Sequence, residues 1–485
     1  MQILIRRYPP VEAEHRPRTR RHAKHVLQER NKRSLAAVAI FTRVLMSCAV
    51  AMTLAVPVTS APAAGADPDC PPNIGYQPEC AYRPFYTPPT PLPDGVAGDI
   101  IRTEPSRIAL DPAGHGNYSG TGTRIMYRST DGRGQPVAVS GTYIEPDRPW
   151  AGSGPRPLIA FAPFHQGLGD QCAVSRLLSE GSFHYGGFLD FVFYFEAGFV
   201  ATMLDRGFAL VITDYQGTGT YGPPTAGIRV PTATAVLDSA RAAKRLPGTS
   251  LTADGPVALW GYGPGGTAAG AAAEMAPSYA PELDVVGAWI GAPMADPSLS
   301  LDYADGSAMV ATVGYALNSF VAAFPEAAPS LRQALTPRGL DFVNKTRYEC
   351  ADEVILKFQF RHLQPYFNQD IRQMFTAEPV RSMLAAQKLG TLKPSAPVNI
   401  DINRFDPLNP WVGARQLASD WCSQGADVEF WTNQQPPFLN KVGVNHLLTY
   451  FVDGERGMQW IADRFNGVPT TPNCDRLPPF ELPGG

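Results

Sequence analysis

The sequence predicts an α/β fold, a mostly parallel sheet flanked by helices, on three observations. Short apolar runs alternate with helical patterns along most of the chain. One of those runs passes through a sharp glycine turn straight into an alanine-rich helix. The composition, 44% hydrophobic and 18% charged over 485 residues, is that of an ordinary globular core. The strand candidates are 157–162, 208–213, 257–261, 285–290 and 398–402. Between the second and third, 232–246 reads as a helix, with Ala and Leu on one face and Arg241, Lys244 and Arg245 on the other. Strands alternating with helices argue for parallel pairing, because each crossover must be covered by a helix.

In chain order, residues 1–66 stand apart from this pattern. Residues 6–33 are basic and polar, and 44–58 are apolar but too short to cross a bilayer comfortably. Ala64-Gly65-Ala66 has the small-x-small form of a cleavage site. Residues 1–66 are therefore expected to be a signal peptide, with Asp67 as the first mature residue. Retention as a membrane anchor is the competing reading. The expected location is secreted or in the cell envelope, with no stable membrane span after cleavage. Cysteine usage agrees. Of seven cysteines, Cys48 falls in the leader and Cys70, Cys80, Cys172, Cys350, Cys422 and Cys474 remain. An even number in an exported chain suggests disulfides, and Cys70–Cys80 is the obvious local loop. None has the spacing of a zinc or redox motif, so no metal and no cofactor is implied. A net charge of −3 gives no reason to expect nucleic acid.

Residues 67–108 are proline-rich and read as an extended surface arm. Residues 124–144 alternate around Asp131-Gly132, a hairpin signal. The segment 297–393 breaks the alternation. It is largely helical, is strewn with aromatic residues, and lies between two strand candidates. It reads as a helical cap inserted into a core made of 67–296 and 394–485, with extra core helices as the alternative.

The chemistry concentrates in Trp260-Gly261-Tyr262-Gly263-Pro264-Gly265-Gly266. A strand running through a tight glycine turn into a helix is the setting of a G-x-S-x-G nucleophile elbow, and hence of an α/β-hydrolase fold. The middle position should be serine and is Gly263. Around it, several stretches resemble the secretory lipase family of yeasts and high-GC bacteria. They are Ala273-Glu274-Met275-Ala276-Pro277-Ser278-Tyr279-Ala280-Pro281-Glu282-Leu283, Gly291-Ala292-Pro293-Met294-Ala295-Asp296, Gln166-Gly167-Leu168-Gly169-Asp170-Gln171-Cys172, Asp214-Tyr215-Gln216-Gly217-Thr218-Gly219 and Ala414-Arg415-Gln416-Leu417-Ala418-Ser419-Asp420-Trp421-Cys422. The similarity spans roughly 84–474. It implies a lipase or esterase acting on acylglycerols, with a Ser-Asp-His triad and a helical lid. It identifies Asp406 with the triad acid and His446 with the base, and their order after the elbow is the α/β-hydrolase order. It also implies the pairings Cys172–Cys350 and Cys422–Cys474.

The chain departs from the pattern at the elbow twice. Gly263 gives His446 no oxygen to activate. Pro264 holds the position whose backbone N–H normally meets the oxyanion, and proline has none. Losing a triad nucleophile costs about 10⁶ in turnover in a model protease. Phe164 and His165 stand in the oxyanion loop where small residues are expected, with ordinary loop drift as the alternative. The expectation is an inactive homologue of a secreted lipase that binds a lipid or acyl ligand. Two alternatives stay open. One is an active hydrolase using an unusual nucleophile or a water activated by His446. The other is a structural or interaction protein of the cell envelope.

Overall fold

The computed structural model describes residues 84–110, 118–181, 192, 194–220 and 222–480. The leader, Cys70 and Cys80 lie outside the described residues. Nine strands form one sheet in the order β1-β2-β3-β5-β4-β6-β7-β8-β9. They are β1 (Ile100–Ser106), β2 (Gly120–Thr130), β3 (Pro136–Pro146), β4 (Leu158–Ala162), β5 (Ala209–Thr213), β6 (Val257–Tyr262), β7 (Val285–Gly291), β8 (Val398–Asn403) and β9 (Val428–Asn433). The first three pair antiparallel, as does β3 with β5, and every later pair is parallel.

The five strand runs expected from sequence are β4 to β8, each within about a residue of its expected start. Their side chains are buried on both faces almost throughout. Strands covered by helices on both sides carry such unbroken apolar runs. The hairpin is β2–β3, with Thr130 opposite Pro136. The arm differs from expectation at its end. Residues 100–106 leave the surface path and add β1 to the sheet edge.

The helices that position the site are α1 (Val174–Glu180), α2 (Ala197–Asp205), α3 (Arg229–Arg245) and α4 (Pro264–Tyr279). Between β7 and β8 the chain forms helices only, including α5 (Thr312–Ala323), α6 (Pro337–Tyr348) and α7 (Ala351–Phe358). These helices hold their own apolar cluster around Phe342, Phe358 and Tyr366, and Leu168 from the β4–α1 loop reaches into it. α8 (Trp411–Ser423) follows β8, and α9 (Val444–Phe465) follows β9. α9 lies over β7 and β8. Gly457 lets it approach so closely that a Cβ there would stand 2.5 Å from the Trp289 indole nitrogen. Trp260 and Trp289 stack at 4.0 Å, and Phe199, Tyr450 and Tyr262 form a second stack beside them.

Candidate active site

The turn from β6 into α4 sits at the carboxyl end of the sheet, between β4 and β7. The helix start is pressed against both neighbours. A Cβ on Gly265 would lie 2.2 Å from the Ala162 carbonyl, and one on Gly266 would lie 2.1 Å from the Gly291 carbonyl. No larger residue fits either position without moving a strand. Gly263 has φ 58° and ψ −122°, a conformation that side chains rarely tolerate. Its N–H donates to the Gly291 carbonyl at 2.9 Å, and its carbonyl accepts from the Thr267 N–H. The Thr267 hydroxyl also donates to that carbonyl and accepts from the Met294 N–H at 2.8 Å. It is committed to the helix start. Pro264 opens the helix, where its missing N–H leaves no helical bond unmade.

His446 and Asp406 meet. His446 Nδ1 lies 2.7 Å from Asp406 Oδ2, and both side chains are buried. The other carboxylate oxygen, Oδ1, accepts from the N–H groups of Leu408 and Asn409, at 2.9 Å each. The carboxylate therefore also closes the turn after β8. With a carboxylate on Nδ1, the network assigns the ring proton to that nitrogen and leaves Nε2 as an acceptor. Tyr262 adds a hydrogen bond from its hydroxyl to the His446 carbonyl at 2.5 Å. Nε2 faces the elbow, since a Cβ built on Gly263 would stand 3.1 Å from it.

Phe164 crowds the same spot. That same Cβ would stand 2.6 Å from Phe164 Cε2. The ring packs edge-on against Phe195, with centroids 5.4 Å apart, and lies 6.2 Å from the His446 ring. Its backbone N–H donates to Glu196 Oε2 at 2.8 Å. Glu196 Oε1 accepts from the Tyr450 hydroxyl at 2.9 Å. Burial pushes the Glu196 carboxyl up to about 7, against the pull of these hydrogen bonds. His165 turns the other way, onto the Tyr215 ring at 4.5 Å. Burial lowers its pKa to about 4, so it is neutral at ordinary pH.

The elbow, Asp406, His446, Pro264 and Phe164 thus come together, while His165 lies to one side. Sequence reasoning missed Glu196 and Tyr450. The one signal for Glu196 was an acid following the aromatic run Phe193-Tyr194-Phe195. Asp214 lies deep in the sheet, accepting from Ser140, the Ser175 hydroxyl and the Ser175 N–H that opens α1. Cys172–Cys350 joins the β4–α1 loop to the helices between β7 and β8, and Cys422–Cys474 joins α8 to the C-terminal segment. An apolar cavity of about 220 Å³ lies beside α8, walled by Leu299, Leu389, Val412, Leu417 and Phe480, and none of the elbow or triad positions lines it. Among the described residues, no group of three or more His, Cys, Asp or Glu side chains is arranged to hold a metal ion, and no helix is long and apolar enough to cross a membrane.

Comparison with known proteins points to lipases. "Probable inactive lipase MT1628" of Mycobacterium tuberculosis is 25% identical over 80% of this chain and 83% of its own length. "Lipase 5" of Candida albicans is 26% identical over 82% and 83%. "Secreted triacylglycerol lipase LIP4" of Malassezia globosa is 25% identical over 82% and 84%. Among solved structures, Candida antarctica lipase A in its closed state superposes with a TM-score of 0.70 at 20% identity, over 83% of this chain and 90% of that one, a likeness of fold. A family model described as "Secretory lipase" matches residues 188–473. With an α/β-hydrolase sheet beneath the elbow and that match across more than half its length, the chain belongs to the secretory lipase family.

Proposed function

We propose that the chain is an exported member of this family that has lost ester hydrolysis and uses the fold to bind a lipid or acyl ligand. The observation that carries this reading is the filling of the nucleophile's place. Gly263 offers no oxygen, and the edge of the Phe164 ring lies 2.6 Å from where a Cβ at 263 would stand, 3.1 Å from His446 Nε2. Acyl transfer needs a nucleophile within reach of the base and donors aimed at the developing oxyanion. Pro264 has no N–H to give, and the Phe164 N–H is engaged by Glu196. In this reading 297–393 is a cap over the former cleft. What supports a lipid or acyl ligand is the family, in which a Malassezia globosa relative is named a secreted triacylglycerol lipase.

The retained His446–Asp406 pair favours a second reading, in which His446 activates a water. The crowding of that spot by the Phe164 ring stands against it. The deciding experiment is ester turnover by the purified protein, alongside labelling with a serine-reactive phosphonate. The expected result is neither. Robust turnover that disappears in His446→Ala would overturn the proposal in favour of the water-based reading.

A further inference from the structure

Four described non-glycine residues have positive φ: Tyr215, Ala292, Phe360 and Leu439. Tyr215 and Ala292 are buried. Phe360 and Leu439 are large apolar residues, 48% and 58% exposed. A bulky side chain with positive φ is a genuine outlier, and here two of them point apolar surface at solvent.

They are neighbours through one peptide. The Phe360 N–H donates to the Ser307 carbonyl at 2.8 Å, and the Ala308 N–H donates to the Lys441 carbonyl at 2.6 Å. In a trans peptide this C=O and N–H point in opposite directions. Phe360 and the 438–442 loop therefore flank the same stretch of chain. Phe438 and Val442 extend the exposed apolar surface of that loop, at 61% and 42%. The loop is braced as well as exposed. Pro436 and Pro437 stiffen its approach, and the Phe438 N–H donates to Asn445 Oδ1 at 2.7 Å. Asn445 Nδ2 donates back to the carbonyls of Pro436 and Gln435. Asn445 directly precedes His446, so the loop tip is tied to the rim of the former cleft.

Cations stand around this surface. Lys441 and Arg361 are exposed. Among the described residues the Lys441 ammonium donates to the Asp305 backbone carbonyl, and neither Lys441 nor Arg361 has a carboxylate partner. The Asp305 carboxylate is turned to His362 and to the Leu363 N–H.

We propose that the face formed by Phe438, Leu439, Val442 and Phe360 docks the protein on a lipid surface bearing anionic headgroups. A fluid surface suits this face. Its apolar groups are separate protruding tips on two loops, and a rigid protein partner would need a fitted hollow for each. Apolar tips set among cations match acyl chains beneath phosphates. The inference rests on the lipid-binding part of the proposed function, and not on the loss of hydrolysis.

The test is co-sedimentation of the full chain with vesicles of phosphatidylcholine alone and of phosphatidylcholine mixed with phosphatidylglycerol. The expected result is binding to the anionic vesicles that weakens as salt is added. Phe438→Ser with Leu439→Ser should lower partitioning by about tenfold or more, since each removed apolar group accounts for at least that much transfer preference. Lys441→Glu should reduce the preference for the anionic vesicles. Val468→Ser is the control, an apolar residue 47% exposed just beyond the far end of α9. Melting curves check that each variant is folded. No binding by the wild type, equal binding by the double variant, or a wild-type dimer that the double variant abolishes would each overturn the docking proposal. Ester turnover on the same samples separates the two readings. An active protein that binds vesicles overturns only the loss of hydrolysis, and an inert one that stays in solution overturns only the docking.

Discussion

At position 263 the backbone still has the conformation of a nucleophile elbow, while the room for a side chain is gone. Restoring serine therefore meets two obstacles, positive φ and the Phe164 ring at 2.6 Å from the new Cβ. Gly263→Ser is expected to destabilise by about 1–3 kcal/mol in a melting experiment and to give no ester turnover. Adding Pro264→Gln supplies an oxyanion donor, worth about 3 kcal/mol or roughly a hundredfold in rate, but the ring still closes the site. Turnover should emerge clearly only when Phe164→Gly joins the other two changes. Equal rates for the double and triple variants would show that Phe164 is no obstacle. Glu196 makes a separate prediction. Its carboxyl is raised from 4.5 to about 7, chiefly by burial. The folded protein then keeps a proton that the unfolded chain releases between those values, so stability falls as pH rises through that window. The cost is absent below 4.5 and fully present above 7, at about 3 kcal/mol. Asp401 is raised from 3.8 to about 7 by burial and by Asp453, and acts in the same direction between those values. Melting temperatures of Glu196→Gln should lose part of the slope between pH 4.5 and 7. An unchanged slope would mean that Glu196 does not carry it.

At the scale of elements, the Cys172–Cys350 disulfide is the covalent tie between the β4–α1 loop and the inserted helices. It spans 178 residues of chain and is backed by an isolated bridge from Gly167 to Cys350. Removing it with Cys172→Ser and Cys350→Ser should cost about 2–5 kcal/mol. Limited proteolysis should then cut first within 297–393, because the sheet has its own apolar core. Cuts appearing first in β4 to β8 would mean that the inserted helices hold the sheet together. The legibility of the elements follows from burial. β4 to β8 could be read because both faces are covered and their apolar runs are unbroken. β1 escaped because it is a half-exposed edge strand, Ile100-Ile101-Arg102-Thr103-Glu104-Pro105-Ser106, that continues a proline-rich arm. β9 escaped for a similar reason. It closes the opposite edge, and its one acid, Glu429, is buried against the Trp460 indole N–H, which no alternation pattern foretells.

For the molecule as a whole, the chain order of elbow, acid and base was legible in the sequence, because it follows the topology of a parallel sheet. Phe164 stood out in the sequence as a bulky residue in the oxyanion loop, but what holds it there was not legible. Phe164, Glu196 and Tyr450 come from three distant segments, and only folding shows that the ring, the carboxyl and the hydroxyl belong to one network. The stacked Trp260–Trp289 pair at the centre of the sheet has a further consequence. Two indoles held 4.0 Å apart at 20° share their electronic excitation, so the native protein should show a paired circular-dichroism band and dimmed tryptophan emission. Among the described residues the Trp289 indole nitrogen has no hydrogen-bond partner, so Trp289→Phe should abolish the paired band without breaking a hydrogen bond. A band that persists in that variant would place its origin elsewhere. The sheet centre thus carries its own optical reporter, through which packing beneath the elbow can be followed by light alone, with no substrate needed.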